Sequence, residues 1–179
     1  GPGRINSLAQ TLLKLTSPGV PDIYQGTELW ALHLVDPDNR RPVDYDARRR
    51  ALADVVQLSP SAIWERADEG LPKVWVTHAA LQLRNRRPEA FGPRGDYTAV
   101  HAKGPLAPHV TAFRGGEDVM TIVPRLVIGA ASRWSGSTVR VASGRWRNVL
   151  TGQRVEAGDV DVSRLWHDFP VALLERTDS

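Results

Sequence analysis

The sequence predicts an α+β chain, with helices gathered around one lone strand and a small antiparallel β-sandwich after them. Three observations carry this. Leucines recur at helical spacing near the start. Only one short apolar run in the first half reads as a strand. After Pro88 the helical periodicity gives way to short β-like runs between Gly and Asp turns. Apolar residues make up 41% of the 179 residues, enough for a packed core and too many for a disordered chain.

Residues 7–16 read as a helix through Leu8, Leu12 and Leu15, with Ser7 and Gln10 at capping-box spacing. Ser17-Pro18-Gly19 stops it. Residues 20–24 read as a short strand, with Pro21 confined to its first positions because proline cannot donate to a ladder. A strand that follows a helix in this way needs parallel neighbours, and the rest of the chain supplies none. Residues 25–45 form a long polar loop, a length usually reserved for function or disorder. Leu29, Trp30, Leu32, Leu34 and Val35 argue against disorder.

A second helix is expected over 46–58, capped by Asp46, with Ala51, Leu52, Val55 and Val56 on its apolar face. Ser59-Pro60 restarts a short helix to about Ala67, with proline at its first position. A long helix over 71–86 carries Val74, Trp75, His78 and Leu81 on one face and ends before Pro88. Strand-like runs follow at 109–114, 118–123, 138–142, 146–150 and 171–175. Gly115-Gly116 signals a hairpin, and Gly144 and Gly152 punctuate the later runs. The pattern reads as an antiparallel sandwich.

Composition narrows the function. The net charge is +3, and arginines alternate with acids except in Arg48-Arg49-Arg50, at the start of a helix. A nucleic-acid surface would want a basic stripe interleaved with aromatics, so no nucleic-acid partner is expected. There are no cysteines, which excludes disulfides and thiolate metal sites and suits a reducing, cytoplasmic setting. No apolar run approaches the roughly 20 residues that span a bilayer, so no membrane is expected. Asp36-x-Asp38 hints at a calcium loop, but Arg40 and Arg41 stand where oxygen ligands and a glycine are needed. The histidines are scattered, and neither a metal nor a cofactor is expected.

Three helices and one strand with a polar loop make poor sense alone. They make good sense as the last βα unit of a (β/α)₈ barrel. Residues 1–88 are thus expected to be the C-terminal end of a catalytic barrel, with an active-site loop at 25–45, and residues 89–179 a C-terminal β-sandwich domain. In such barrels the site lies at the C-terminal ends of the strands, so residues 25–44 would overhang it. That stretch, with Tyr24, offers planar hydrogen-bonding groups and aromatic faces suited to sugars. They include Gln25, Glu28, Trp30, His33, Asp36, Asp38, Asn39, Arg40, Arg41 and Asp44.

Here a resemblance enters. Residues 18–28, PGVPDIYQGTE, resemble the α-amylase family's pattern after its eighth strand: a Gly-x-Pro, then Tyr, Gly and an acid. Residues 34–44, LVDPDNRRPVD, resemble the malto-oligosyltrehalose synthase branch in particular, as do Leu71-Pro72-Lys73 and FPVALL at 169–174. The resemblance implies a parent enzyme that converts the reducing-end α-1,4 linkage of a malto-oligosaccharide to an α,α-1,1 linkage by intramolecular transglycosylation. That chemistry needs a nucleophilic and an acid/base carboxylate about 5 Å apart. In the family these lie at the fourth and fifth strands, with a further aspartate at the seventh. None of these positions maps onto this chain, so no catalytic residue is carried over and the fragment alone is expected to be inactive. The malto-oligosaccharide partner is expected to be held chiefly by the missing N-terminal barrel.

The rim is what the resemblance carries over: Tyr24, Gln25, Glu28, Asp36, Asp38, Asn39, Arg40 and Arg41 as substrate-binding residues. A sugar face suits Tyr24, hydroxyls suit Glu28, Asp36, Asp38 and Asn39, and carboxylates suit Arg40 and Arg41. Plainer roles compete. Tyr24 fits a core, Glu28 a structural ion pair, 36–41 an internally salt-bridged loop, and Asp44 a cap. Trp134, Trp146 and Trp166 fit a β core, or else a sugar-stacking platform. The second use would make the chain a non-catalytic glycan-binding or scaffolding module.

Overall fold

The computed structural model describes residues 1–32, 35, 40–92, 96–130 and 134–177. Helix α1 spans Pro2–Thr16, five residues earlier than the periodicity predicts. Pro2 starts it, since proline's fixed φ suits the first turn. Ser7 is therefore inside the helix and caps nothing. Leu8, Leu12 and Leu15 are buried, as spaced. Helix α2, Tyr45–Val55, is capped by Asp44, whose carboxylate accepts from Ala47 N at 2.8 Å. Asp46 lies inside the first turn instead. Helix α3, Pro60–Glu65, is capped by Ser59, and helix α4 spans Leu71–Arg86. The buried side of α4 is Leu71, Val74, Val76, Ala79, Ala80 and Leu83, so Trp75, His78 and Leu81 are only half-buried.

The expected strand at 20–24 is absent: the segment has no ladder partner among the described residues. A strand exists only by its ladder, and no neighbour reaches it. Val20 is 96% exposed and Tyr24 is 47% exposed.

The β region holds β1 (Tyr97–Val100), β2 (Val110–Gly115), β3 (Val119–Pro124), β4 (Thr138–Asn148), β5 (Arg154–Asp161) and β6 (Ala172–Arg176). Its strands form one antiparallel sheet in the order β1-β2-β3-β6-β4-β5, rather than the two packed layers of a sandwich. The runs at 138–142 and 146–150 are one strand interrupted by an irregularity between Val141 and Arg145. β5 escapes sequence reading because it is an edge strand with a glycine and four charged residues.

The sheet curls. The bend in β4 folds β4 and β5 over the other strands, and Lys103 pairs with Thr138 to draw the ends together. At that closure Gly104, at φ +98°, passes so close to the Gly136 backbone that a Cβ has no room. The concave side encloses Met120, Ile122, Val141, Trp146, Val155 and Leu174 with two short helices, α5 (Val127–Ala130) and α6 (Val162–Leu165), nearby. The other side packs Val119, Val123, Val171 and Leu173 on α1 and α4. β3 and β6 are thus buried on both faces, which is why their sequence reads as a continuous apolar run.

Charge ties the helices to the sheet at Glu175. Its nearly buried carboxylate accepts from Arg86 at 2.9 Å, and Arg87 and Arg147 each approach to 3.5 Å. Burial pushes this carboxyl up, but the arginines outweigh it and hold it below its ordinary value. The folded chain therefore takes the proton less readily than the unfolded one. The stability this cluster contributes is present above the unfolded glutamate value and is lost as pH falls through the folded one. Urea melts at about pH 7 and about pH 3 should show a smaller acid loss in Glu175→Gln than in the parent chain. An equal loss in both would place the acid sensitivity elsewhere.

Candidate functional site

The site is built on the turn that leaves α1. Arg84 of α4 donates through Nη1 to Leu15 O at 2.9 Å and Ser17 O at 3.4 Å, and through Nη2 to Gly19 O. Its guanidinium also lies over the Phe91 ring, 4.8 Å from the centroid. Gly19 N closes the turn by donating to Phe91 O at 2.9 Å. The last carbonyls of α1 thus meet a cation where the helix dipole favours one.

From there residues 20–30 run to the junction of α3 and α4. Thr27 folds back, donating to Tyr24 O through its N–H at 3.2 Å and its hydroxyl at 2.7 Å. Trp30 Nε1 donates to Ala67 O at 2.6 Å, and Lys73 Nζ donates to Leu29 O at 3.2 Å. Leu29 lies against Gly70, where an added Cβ would sit 2.9 Å from Leu29 Cδ2. Gly70 also holds φ at +83°, so the residue is required twice over.

Arg48 of α2 is the centre of the site. Its Nε donates to Glu28 at 2.8 Å, its Nη2 to Gly26 O at 2.5 Å and its Nη1 to Asp44 O at 3.0 Å. Both members of the Glu28–Arg48 pair are partly buried. Beside them, Tyr45 Oη donates to Gln25 Oε1 at 3.4 Å. A cleft of about 290 Å³ opens between α2 and α4, lined by Glu28, Tyr45, Arg48, Leu52, Thr77 and His78 among others. Lys73 approaches from below; burial lowers its pKa, Lys14 adds to the shift and Glu28 opposes it.

Of the residues expected at the site, Gln25 and Glu28 are tied to α2 through Tyr45 and Arg48, while Tyr24 accepts from Thr27 through its carbonyl. Tyr24 is exposed rather than in a core, and Glu28 does make an ion pair. Arg40 and Arg41 are exposed, and each is engaged in an interaction. Asp36, Asp38 and Asn39 lie outside the described residues, as does His33. Among the described residues there is no cluster of metal-ligating side chains and no helix long and apolar enough to cross a membrane. Sequence reasoning missed Arg48, Lys73 and Arg84. Arg48 was hidden in a run of three arginines, of which the other two are exposed. The tryptophans divide: Trp146 is buried in the sheet's core, donating to Ala142 O at 3.0 Å, while Trp134 is half-buried.

No family model matches the chain. Two solved enzymes whose names concern trehalose share its fold. A maltooligosyltrehalose synthase from Arthrobacter ramosus matches with a TM-score of 0.83 and 39% identity, over 98% of this chain and 22% of that one. A glycosyltrehalose synthase matches with a TM-score of 0.66 and 28% identity, over 98% of this chain and 21% of that one. In sequence the chain is 42% identical over 175 residues to putative maltooligosyl trehalose synthases from two strains of Mycobacterium tuberculosis. These alignments take in 97% of the chain and 21% of each relative, so the chain spans about a fifth of their length. Nearly the whole chain is therefore similar to maltooligosyltrehalose synthases, and the similarity falls in their C-terminal portion.

Arg84→Lys should lower stability by about 2 kcal/mol, because an ammonium cannot serve three carbonyls and a ring face together. Chemical melts would register it. An unchanged midpoint would mean that the α1 turn holds without this contact.

Proposed function

We propose that this chain forms one wall of the active site in an α-amylase-family enzyme that converts the reducing-end α-1,4 linkage of a malto-oligosaccharide to an α,α-1,1 linkage by intramolecular transglycosylation. The observation that carries this is the match to maltooligosyltrehalose synthases across nearly the whole chain. In this reading residues 1–88 complete a (β/α)₈ barrel, residues 20–24 become its eighth strand once a parallel neighbour is present, and residues 89–179 form the domain that follows. The exposed apolar residues support it: Val20 is 96%, Leu32 95% and Val35 56% exposed, all on the stretch that would meet the rest of the barrel.

The catalytic carboxylates lie outside the chain in this reading, so its residues position and hold substrate. Arg48 holds the Glu28 carboxylate in place through one hydrogen bond, which leaves other carboxylate lone pairs to accept from sugar hydroxyls. Tyr24 offers an exposed ring to a pyranose face. Gln25, Asp36, Asp38, Asn39, Arg40 and Arg41 complete the rim. The enzyme works in the cytoplasm, consistent with a chain that has no cysteine.

Two measurements test this. The isolated chain incubated with maltopentaose should give no trehalose-ended product, whereas the whole protein should give it; product from the chain alone would refute the assignment of catalysis elsewhere. In the whole protein, Arg48→Ala should reduce kcat/KM at least about tenfold, the scale expected when a substrate-positioning group is released. A variant with full activity would remove Glu28 and Arg48 from the substrate rim.

A further inference from the structure

A second cleft, of about 400 Å³, lies where α1 and α3 meet the sheet, and it shares no residue with the cleft at Glu28 and Arg48. Its walls come from separate parts of the chain: Trp64 on α3, Trp134 and Ser135 ahead of β4, Ser163 in α6, Trp166 after α6, and Pro170 before β6. We infer that this cleft is a second binding site for the neutral α-glucan chain, apart from the catalytic rim.

The chemistry selects the ligand. Three indoles line one cleft, and a pyranose ring presents C–H faces that pack on such surfaces while its hydroxyls point outward. The rings are fixed beforehand. Trp134 meets Trp166 edge-on at 4.8 Å and 84°, and Trp64 meets Phe169 edge-on at 6.2 Å and 69°. Fixed rings lose little freedom when a ligand arrives. The hydroxyl of Ser163 is fixed too: it donates to Asp161 Oδ1 at 2.6 Å, which leaves its lone pairs to accept from a sugar hydroxyl. Asp161 is itself held by Gly136 N at 2.7 Å and Ser163 N at 2.8 Å. Trp166 is 9% exposed, and its Nε1 is a buried donor without a partner, an arrangement that is costly unless something accepts from it.

No charged side chain is among the described residues that line the cleft. Such a lining suits a neutral sugar better than a phosphorylated one or nucleic acid. The volume falls within the range of small-ligand sites, about 300–1,000 Å³. A core would bury all three rings as it buries Trp146, which is 1% exposed; here Trp64 and Trp134 stay half-buried at a solvent-open cleft.

This inference rests on the functional reading above for its ligand class, and the experiment separates the two. The whole protein is titrated with maltopentaose by calorimetry, and product formation is followed independently. Two classes of binding site are expected. Trp134→Ala should weaken one class about tenfold, the loss of roughly one good aromatic contact. Trp64→Ala, which leaves the Trp134–Trp166 contact intact, should weaken the same class. Arg48→Ala should leave that class unchanged. Circular dichroism checks that each variant is folded. A single class of site in the parent protein, or isotherms unaltered by both tryptophan variants, would overturn the inference. If the parent binds in two classes but forms no trehalose-ended product, the proposed reaction fails while the second site stands.

Discussion

Arg84 reaches from α4 to the end of α1 and gathers the carbonyls of Leu15, Ser17 and Gly19 around one guanidinium. Everything in the candidate site follows from where that turn points. α1 supplies a straight rod whose position is set by burial of Leu8, Leu12 and Leu15. The chain must then reverse without a strand to guide it, and unsatisfied carbonyls at a half-buried helix end would be costly. Burial lowers the pKa of Arg84, but the group remains a cation where one is wanted. With the turn fixed, Leu29 and Trp30 can dock on Gly70 and Ala67, and Glu28 comes within reach of Arg48.

The sheet provides the platform under α4. Trp75 Nε1 donates to Leu150 O at 3.0 Å, pinning the second turn of the helix to the turn after β4. The Glu175 cluster pins its end. One hydrophobic core runs from α1 and α4 onto β3 and β6, so the site's helices and the sheet stabilise each other. The polar ties add orientation. Apolar burial would allow α4 to slide along the sheet, whereas two contacts about three turns apart do not.

Elements with strong local periodicity were legible: α4 was read to the residue, and β2, β3 and β6 to within a residue or so. The failures share a cause. A strand at 20–24 has strand-like residues but no partner, and pairing is not encoded locally. β5 is charged because it is an edge, so its alternation is faint. One curled sheet and two packed sheets draw on the same alternating pattern; only the irregularity in β4 tells them apart. At the site, Tyr24, Gln25 and Glu28 were singled out through motif resemblance alone. Arg48 and Arg84 act across 20 or more residues of sequence, and nothing in their own neighbourhood marks them out from other arginines.

β6 comes last among the strands in the chain, yet it lies in the middle of the sheet, between β3 and β4. A ribosome delivers the strands in order, so β1 to β3 and β4 to β5 emerge as two hairpin groups with a gap between them. The inner edges of both groups, Val119–Ile122 on β3 and Trp146–Asn148 on β4, stay open until Ala172–Arg176 slots in. Assembly of this region is therefore completed after translation has passed it, and during that interval the newborn chain presents the kind of surface that chaperones recognise.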